Sequence, residues 1–290
     1  MLGGIMSRRS EKSPREYGLA GAGLGAHWAA LHHGDREPWP DERRIAVLAR
    51  QEVAFARLVT LRGGTGEIAQ ALQDAWRAFH VGEFPRAIKL GSELGALGAT
   101  VANKAAAIDS LYSKHTGPQV LHMLEAATAR GEEAVGQLPK YPNAHYMLAL
   151  VLGRYSQRIS ILKALAEGLA GRVRSHLEQT LDLEPHHAEA HVALGLYHAE
   201  IINKLGSLAA GLTHNVSAEK AQEHFHHASR LAPTSPIVQI EHANGLLLLD
   251  ADRYRAQAHA LYQCAAACRP LDAMAALDVE HARGLHGGKA

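Results

Sequence analysis

The chain has 290 residues, 47% hydrophobic and 20% charged, enough to bury a sizeable core and long enough for one large or two ordinary domains. Thirty basic residues against 29 acidic ones leave a formal charge of +1, so nothing in the balance attracts nucleic acid or anionic lipid, and neither is an expected partner. No run of about 18 apolar residues occurs, so no membrane span is expected.

Residues 1–42 carry Gly18, Gly21, Gly23, Gly25, Pro38 and Pro40 without a sustained apolar period and are expected to form a flexible N-terminal arm. Ser7-Arg8-Arg9 ahead of the weakly apolar Gly18 to Leu31 has the outline of a twin-arginine export signal. Glu11, Lys12, Arg15 and Glu16 stand where that signal is apolar, so a cytoplasmic location is expected in preference to export to the periplasm, and Met6 offers an alternative start. GAGLG lacks the preceding strand and third glycine of a dinucleotide fingerprint.

From residue 43 to residue 290 the pattern is helical throughout, and no strand is expected. Arg44 to Leu61 has helical spacing with Ile45, Leu48, Val53, Phe55 and Leu58 on one broad face. Glu67 to His80, a turn at Gly82, and a return helix from Phe84 to about Leu97 make a hairpin. Residues 99–112 and 118–137 make a second, broken at Gly117-Pro118. Ser217 is placed to cap the helix AEKAQEHF, Asp250-Ala-Asp252 reads as a turn after Leu249, and LDAMAALDVEHARGL after Pro270 reads as a C-terminal capping helix.

Four prolines set a register. Pro139, Pro185, Pro233 and Pro270 lie 46, 48 and 37 residues apart. Five residues before each stand Ala134, Thr180, Ala228 and Ala265; eight before, Gly131, Leu177, Phe225 and Tyr262; twelve before, Ala127, Val173, Ala221 and Ala258. Five, nine and ten after the first three stand Ala144, Ala190 and Val238, then Leu148, Leu194 and His242, then Ala149, Gly195 and Ala243. Small residues let helices approach, and large ones fill the groove between them. This spacing resembles the tetratricopeptide repeat, whose period is about 34 residues. The resemblance implies an all-α, TPR-like solenoid of helical hairpins with elongated repeats. The extra length is SQRISILKALAEGLAG in one repeat and AEIINKLGSLAAGLTHNVS in the next, both expected to be helical.

NAHYMLALVLGRYSQRISILKALAEGLAGRVRSHLEQTLDLEPHHAEAHVALGLYHAEI with AEKAQEHFHHASRLAP, about residues 140 to 240, resembles the divergent repeats of the regulator of microtubule dynamics family. GATVANKAAAI and IEHANGLLLL are similar to segments of uncharacterised bacterial tetratricopeptide proteins. A more distant similarity, to the T component of tripartite periplasmic transporters, implies binding of small apolar ligands. That family's lipid-attachment cysteine has no counterpart, because no cysteine precedes Cys264.

No chemical constellation stands out. Cys264 and Cys268, four apart on one helical face, are expected to be small buried residues, and so low a count suits a reducing compartment. Among twenty histidines, His187 and His191 are four apart and His224 and His227 three apart, yet HExxH is absent and neither pair has a third ligand at standard spacing. His145 and His191 are equivalent in the repeat, as packing roles demand. His226 and His227 beside Glu223 have no accompanying nucleophile. No metal, cofactor or catalytic residue is expected. The reading is a non-catalytic protein–protein interaction scaffold that binds a protein or peptide, with a small apolar ligand carrier as the alternative. The expected contact face is Tyr146, Leu150 and Arg154, then Glu189, Val192, Leu196 and Glu200, then Ile240 and Asn244. The apolar inserts could instead fold over this groove and fill it.

Overall fold

The computed structural model describes residues 17–51, 53–112, 114–206 and 216–287. Among them are fourteen α-helices, one 3-10 turn and no strand: an all-α protein. In order these are α1 Gly23–Leu31, α2 Glu42–Gln51, α3 Val53–Leu61, α4 Thr65–His80, α5 Phe84–Ser92, the 3-10 turn Gly95–Gly98, α6 Ala99–Tyr112, α7 Gly117–Gln137, α8 Pro142–Ser156, α9 Ile161–Ala166, α10 Leu169–Leu183, α11 Ala188–Leu205, α12 Ala218–Leu231, α13 Pro236–Ala267 and α14 Ala273–Gly287. Two compact units divide the described chain, one of residues 17–32 and 37–185, the other of residues 33–36 and 186–287.

In the first unit α6 is the central element. Every residue from Ala99 to Ala107 is buried, and α4, α5, α7 and α8 all pack on it. Alanines make this possible, because a helix with short side chains on every face admits neighbours on every face. Its polar residues are then obliged to find partners. Asn103 donates from Nδ2 to the Ala127 carbonyl at 3.0 Å and accepts from Arg130 Nε at 2.8 Å, while Arg130 reaches on to Ser92 Oγ. The expected return helix to Leu97 ends early, at Ser92. There the chain turns through Gly95–Gly98 so closely that a Cβ on Gly98 would sit 2.1 Å from the Gly91 carbonyl oxygen.

Residues 17–42 are not a flexible arm. Leu19, Leu24 and Trp28 are buried, α1 forms over the glycine-rich stretch, and Arg77 on α4 donates to the carbonyls of Leu19 and Gly21 at 3.2 Å each. Trp28 packs edge-on against Trp39 and Trp76, at 4.9 and 5.7 Å between centroids. Aromatic burial, which a search for helical period does not register, overrides the glycine and proline content.

In the second unit α11, α12, α13 and α14 pack in sequence order. Ser217 caps α12, its Oγ accepting from Lys220 N at 3.2 Å. The turn at Asp250 is a reversal within α13, where φ is −166° and ψ 98°. Asn244 and Tyr262 are 18 residues apart, about 27 Å along a continuous helix, yet Tyr262 donates to Asn244 Oδ1 at 2.6 Å. The two halves therefore lie antiparallel, and the carboxylate of Asp250 accepts from Arg253 N to start the second.

The proline register is visible in the packing: of the positions it aligns, all are buried except Val173, which is half-buried. Phe225 shows the rule at its tightest, wedged between Gly195 on α11 and Gly245 on α13. A Cβ added at Gly245 would meet the ring at 2.1 Å. In an open helix Gly→Ala stabilises by about 1 kcal/mol; here overpacking reverses the sign. Gly245→Ala is expected to lower unfolding free energy in urea by about 1–3 kcal/mol, and Phe225→Leu in the same chain to recover part of it. A stabilising Gly245→Ala would show that the ring does not define this contact.

Candidate functional site

The expected contact face is only partly open. In the first unit Tyr146 is buried, whereas Leu150 and Arg154 are half-buried, because α6, α7 and α10 all pack on α8 and leave it little free surface. In the second, Glu189 and Val192 are buried, Val192 in the cluster around Phe225 and Val238. Leu196 and Glu200 are half-buried, Glu200 pairing with Lys204 at 3.6 Å. Ile240 is buried against Tyr262 and Ala282, and Asn244 is held by Tyr262. Tyr146, Glu189, Val192 and Ile240 are thus packing residues rather than presented ones. Offsets from a proline give a helix face, and neighbouring helices decide whether that face meets solvent.

The first insert buries Leu169 but leaves much of its apolar surface outside the core. It forms α9, a six-residue helix packed on α10 and capped by Ser160, whose Oγ accepts from Lys163 N. Ile161, Leu162 and Leu165 on it are 78%, 80% and 68% exposed. The second insert lengthens α11 to Leu205, itself exposed; the remainder, residues 207–215, lies outside the described residues. The cysteines are likewise not buried. Cys264 is exposed and Cys268 half-buried, since Tyr262 and Ala265 occupy the inner face of that helix.

Sequence reasoning passed over a buried polar cluster in the first unit. Glu37 accepts from Tyr141 Oη and, at 3.5 Å, Thr100 Oγ1 through Oε1, and from Asn143 Nδ2 at 2.7 Å through Oε2. Its carbonyl accepts from Trp28 Nε1 at 2.7 Å. Burial, then the Glu37 charge, raise the Tyr141 pKa well above its ordinary value, so the phenol stays protonated as donor. Arg44 lies over the Tyr141 ring at 4.8 Å. The adjoining cavity, lined by Glu37, Arg44, Leu72, Trp76 and Tyr141 among others, holds about 20 Å3. That is room for a water molecule and not for an organic substrate. Trp39 and the acidic residue before Pro38 were the available signals.

Histidines pair across helices at matching offsets from Pro139, Pro185 and Pro233. His145 on α8 meets His176 on α10 with Nδ1 atoms 3.1 Å apart, and His191 on α11 meets His224 on α12 at 3.0 Å. His145 Nε2 must carry a proton, because it donates to the Pro139 carbonyl at 2.9 Å. In the neutral pair its Nδ1 therefore accepts from His176. At the same offset after Pro233, Gln239 makes the same tie, Nε2 to the Pro233 carbonyl at 3.0 Å. His176 is lowered from its usual pKa by burial and by His145; His224 is lowered to about 4 by burial and its neighbouring histidines. His242, stacked on Phe225 and bonded to Ser229, is lowered to about 4 by burial and by His226.

No helix among the described residues is long and apolar enough to cross a membrane. No family model matches the chain, and no curated protein matches it.

Histidines whose folded pKa lies below the unfolded value of about 6.5 stabilise the fold fully above that pH and progressively less as pH falls toward 4. The loss stays below the unscreened limit of about 1.4 kcal/mol per pH unit for each group, because solvent screens the half-buried His176 and His224. The melting temperature is expected to drop between pH 7.5 and 5, and His242→Phe, which keeps the stack on Phe225, to flatten the slope; parallel curves for the two proteins would remove His242 from this account. Glu37→Leu, which leaves Tyr141, Asn143 and Thr100 donors unmatched, is expected to cost about 3–5 kcal/mol in chemical denaturation. A loss below about 1 kcal/mol would mean the cluster relaxes around the change.

Proposed function

We propose that the chain is a non-catalytic protein-interaction scaffold of TPR-like helical hairpins with elongated repeats. The observation that carries this reading is α9. Ile161, Leu162 and Leu165 extend three large aliphatic side chains into solvent from a short helix, and apolar groups clustered in this way mark surfaces that bind other proteins. Half-buried Leu150 and Arg154 on α8 belong to the same unit. The proline register supports the repeat reading, because it aligns residues that are buried in both units.

Within this reading the partner is a protein or peptide, met through side chains on a rigid helical frame, and the location is cytoplasmic. The small apolar ligand carrier is the second reading; the cavity beside Glu37, with space for water only, would not be its site.

The test uses exposed residues, so that folding is spared. Ile161→Ser, Leu162→Ser and Leu165→Ser together are expected to leave the melting curve within about 2 °C of wild type and to cut recovery of cross-linked partner at least tenfold, the pattern of a lost hot spot. Equal recovery of the same partners by both proteins would count against the scaffold, and an apolar molecule retained in native mass spectra of the purified chain would favour the carrier.

A further inference from the structure

The seam between α11 and α12 carries four imidazoles in a row. His227 stacks on His191, with centroids 5.0 Å apart and planes 13° apart; His191 meets His224 at 5.2 Å; and His224 stacks on His198 at 5.9 Å and 14°. Two come from α11, seven residues apart, and two from α12, three apart, so each pair lies along one face of its helix. Neither helix alone gathers them. Facing the two helices turns a pair of incomplete spacings into one cluster.

At its centre the Nδ1 atoms of His191 and His224 are 3.0 Å apart. Two nitrogens that close share one proton, so one of them presents a lone pair to the other. On a tetrahedral zinc at about 2.0–2.1 Å, two imidazole nitrogens stand about 3.3 Å apart. Replacing the shared proton by an ion thus requires the rings to part by a few tenths of an ångström and to tilt so that both lone pairs converge on the ion. His191 and His224 are half-buried and His227 is exposed, which leaves the seam open to solution.

We propose that the α11–α12 seam is a binding site for a divalent transition-metal cation of the zinc class, held by His191 Nδ1 and His224 Nδ1. Imidazole suits zinc, copper and nickel ions and has little affinity for magnesium or calcium. Among the described residues no three His, Cys, Asp or Glu donors already converge on one point. The ion accordingly takes two protein donors and completes its shell with water or by rotation of the exposed His227 ring. Lys220, close enough to His224 to act on it electrostatically, opposes a cation and keeps the affinity below that of a closed four-ligand site. The pair His145–His176, in the same register, is the reference within the chain, since the exposed His227 ring that can complete the shell stands beside His191.

The experiment titrates zinc chloride into the full chain, free of any histidine tag, by calorimetry at neutral pH, with melting curves to confirm folding. One equivalent is expected to bind, with at least tenfold loss of affinity in both His191→Gln and His224→Gln and no change in His176→Gln. Nitrogen-15 spectra of the wild-type imidazoles provide a readout that needs no variant: zinc is expected to shift the His191 and His224 ring signals first, and magnesium to shift neither. Wild-type affinity in both seam variants, an equal loss in His176→Gln, or first shifts confined to other histidines would overturn the assignment.

Discussion

A carboxylate taken out of water must be met by donors, and in the first unit that requirement organises the chain. Glu37 collects Tyr141 and Asn143 from the entry to α8 and Thr100 from α6, while its own carbonyl takes the indole of Trp28 from α1. The Glu37 side chain thereby ties two remote segments to its own, and its backbone carbonyl holds α1 beside them. Apolar packing alone would let those segments slide, since hydrophobic contact has no direction. The hydrogen bonds to Glu37 supply one, and α6, buried on every face, is set at the depth where its Thr100 reaches the cluster.

Small residues play the complementary part. Ala99 to Ala107 let helices crowd round α6, and Gly195 and Gly245 receive the Phe225 ring from both sides. Where helices approach so closely, polar side chains either find partners or are costly. The histidine pairs answer that demand repeatedly: an imidazole can donate at one nitrogen and accept at the other, and so bridges a helix to its neighbour and, at His145, to the preceding turn. The chain's wealth of histidine is partly accounted for by this use.

Most helix positions from Thr65 onward, the end of the helix after Phe84 excepted, were legible in the sequence, as were the Ser217 cap, the turn at Asp250 and the buried register counted from the prolines. They depend on local spacing, and local spacing is what a sequence displays. Residues 17–42 are ordered despite their glycine and proline content because Trp28 is buried against Trp39 and Trp76, a long-range contact that local spacing does not display. The contact face misled at Tyr146, Glu189, Val192 and Ile240 for a related reason. A helical face can be read from periodicity, but whether another helix covers it is settled by long-range packing. His191 and His224, 33 residues apart, could be singled out as histidines and not joined, since only the pairing of α11 with α12 brings them together.

The reversal at Asp250 has a bearing on how such a chain changes length. One residue with extended backbone angles returns α13 on itself, and the next amide is already engaged in starting the second half. A joint of that kind has no slack, and an added residue there would rotate one half against the other and pull Tyr262 from Asn244. Growth must enter where the connection is longer. The interval between prolines is 37 residues across Asp250, but 46 across the connection that carries α9 and 48 across the one that follows α11. Variation in the interval between prolines is thus channelled by turn geometry, with the tight joint holding the shortest interval and the longer connections carrying the added residues.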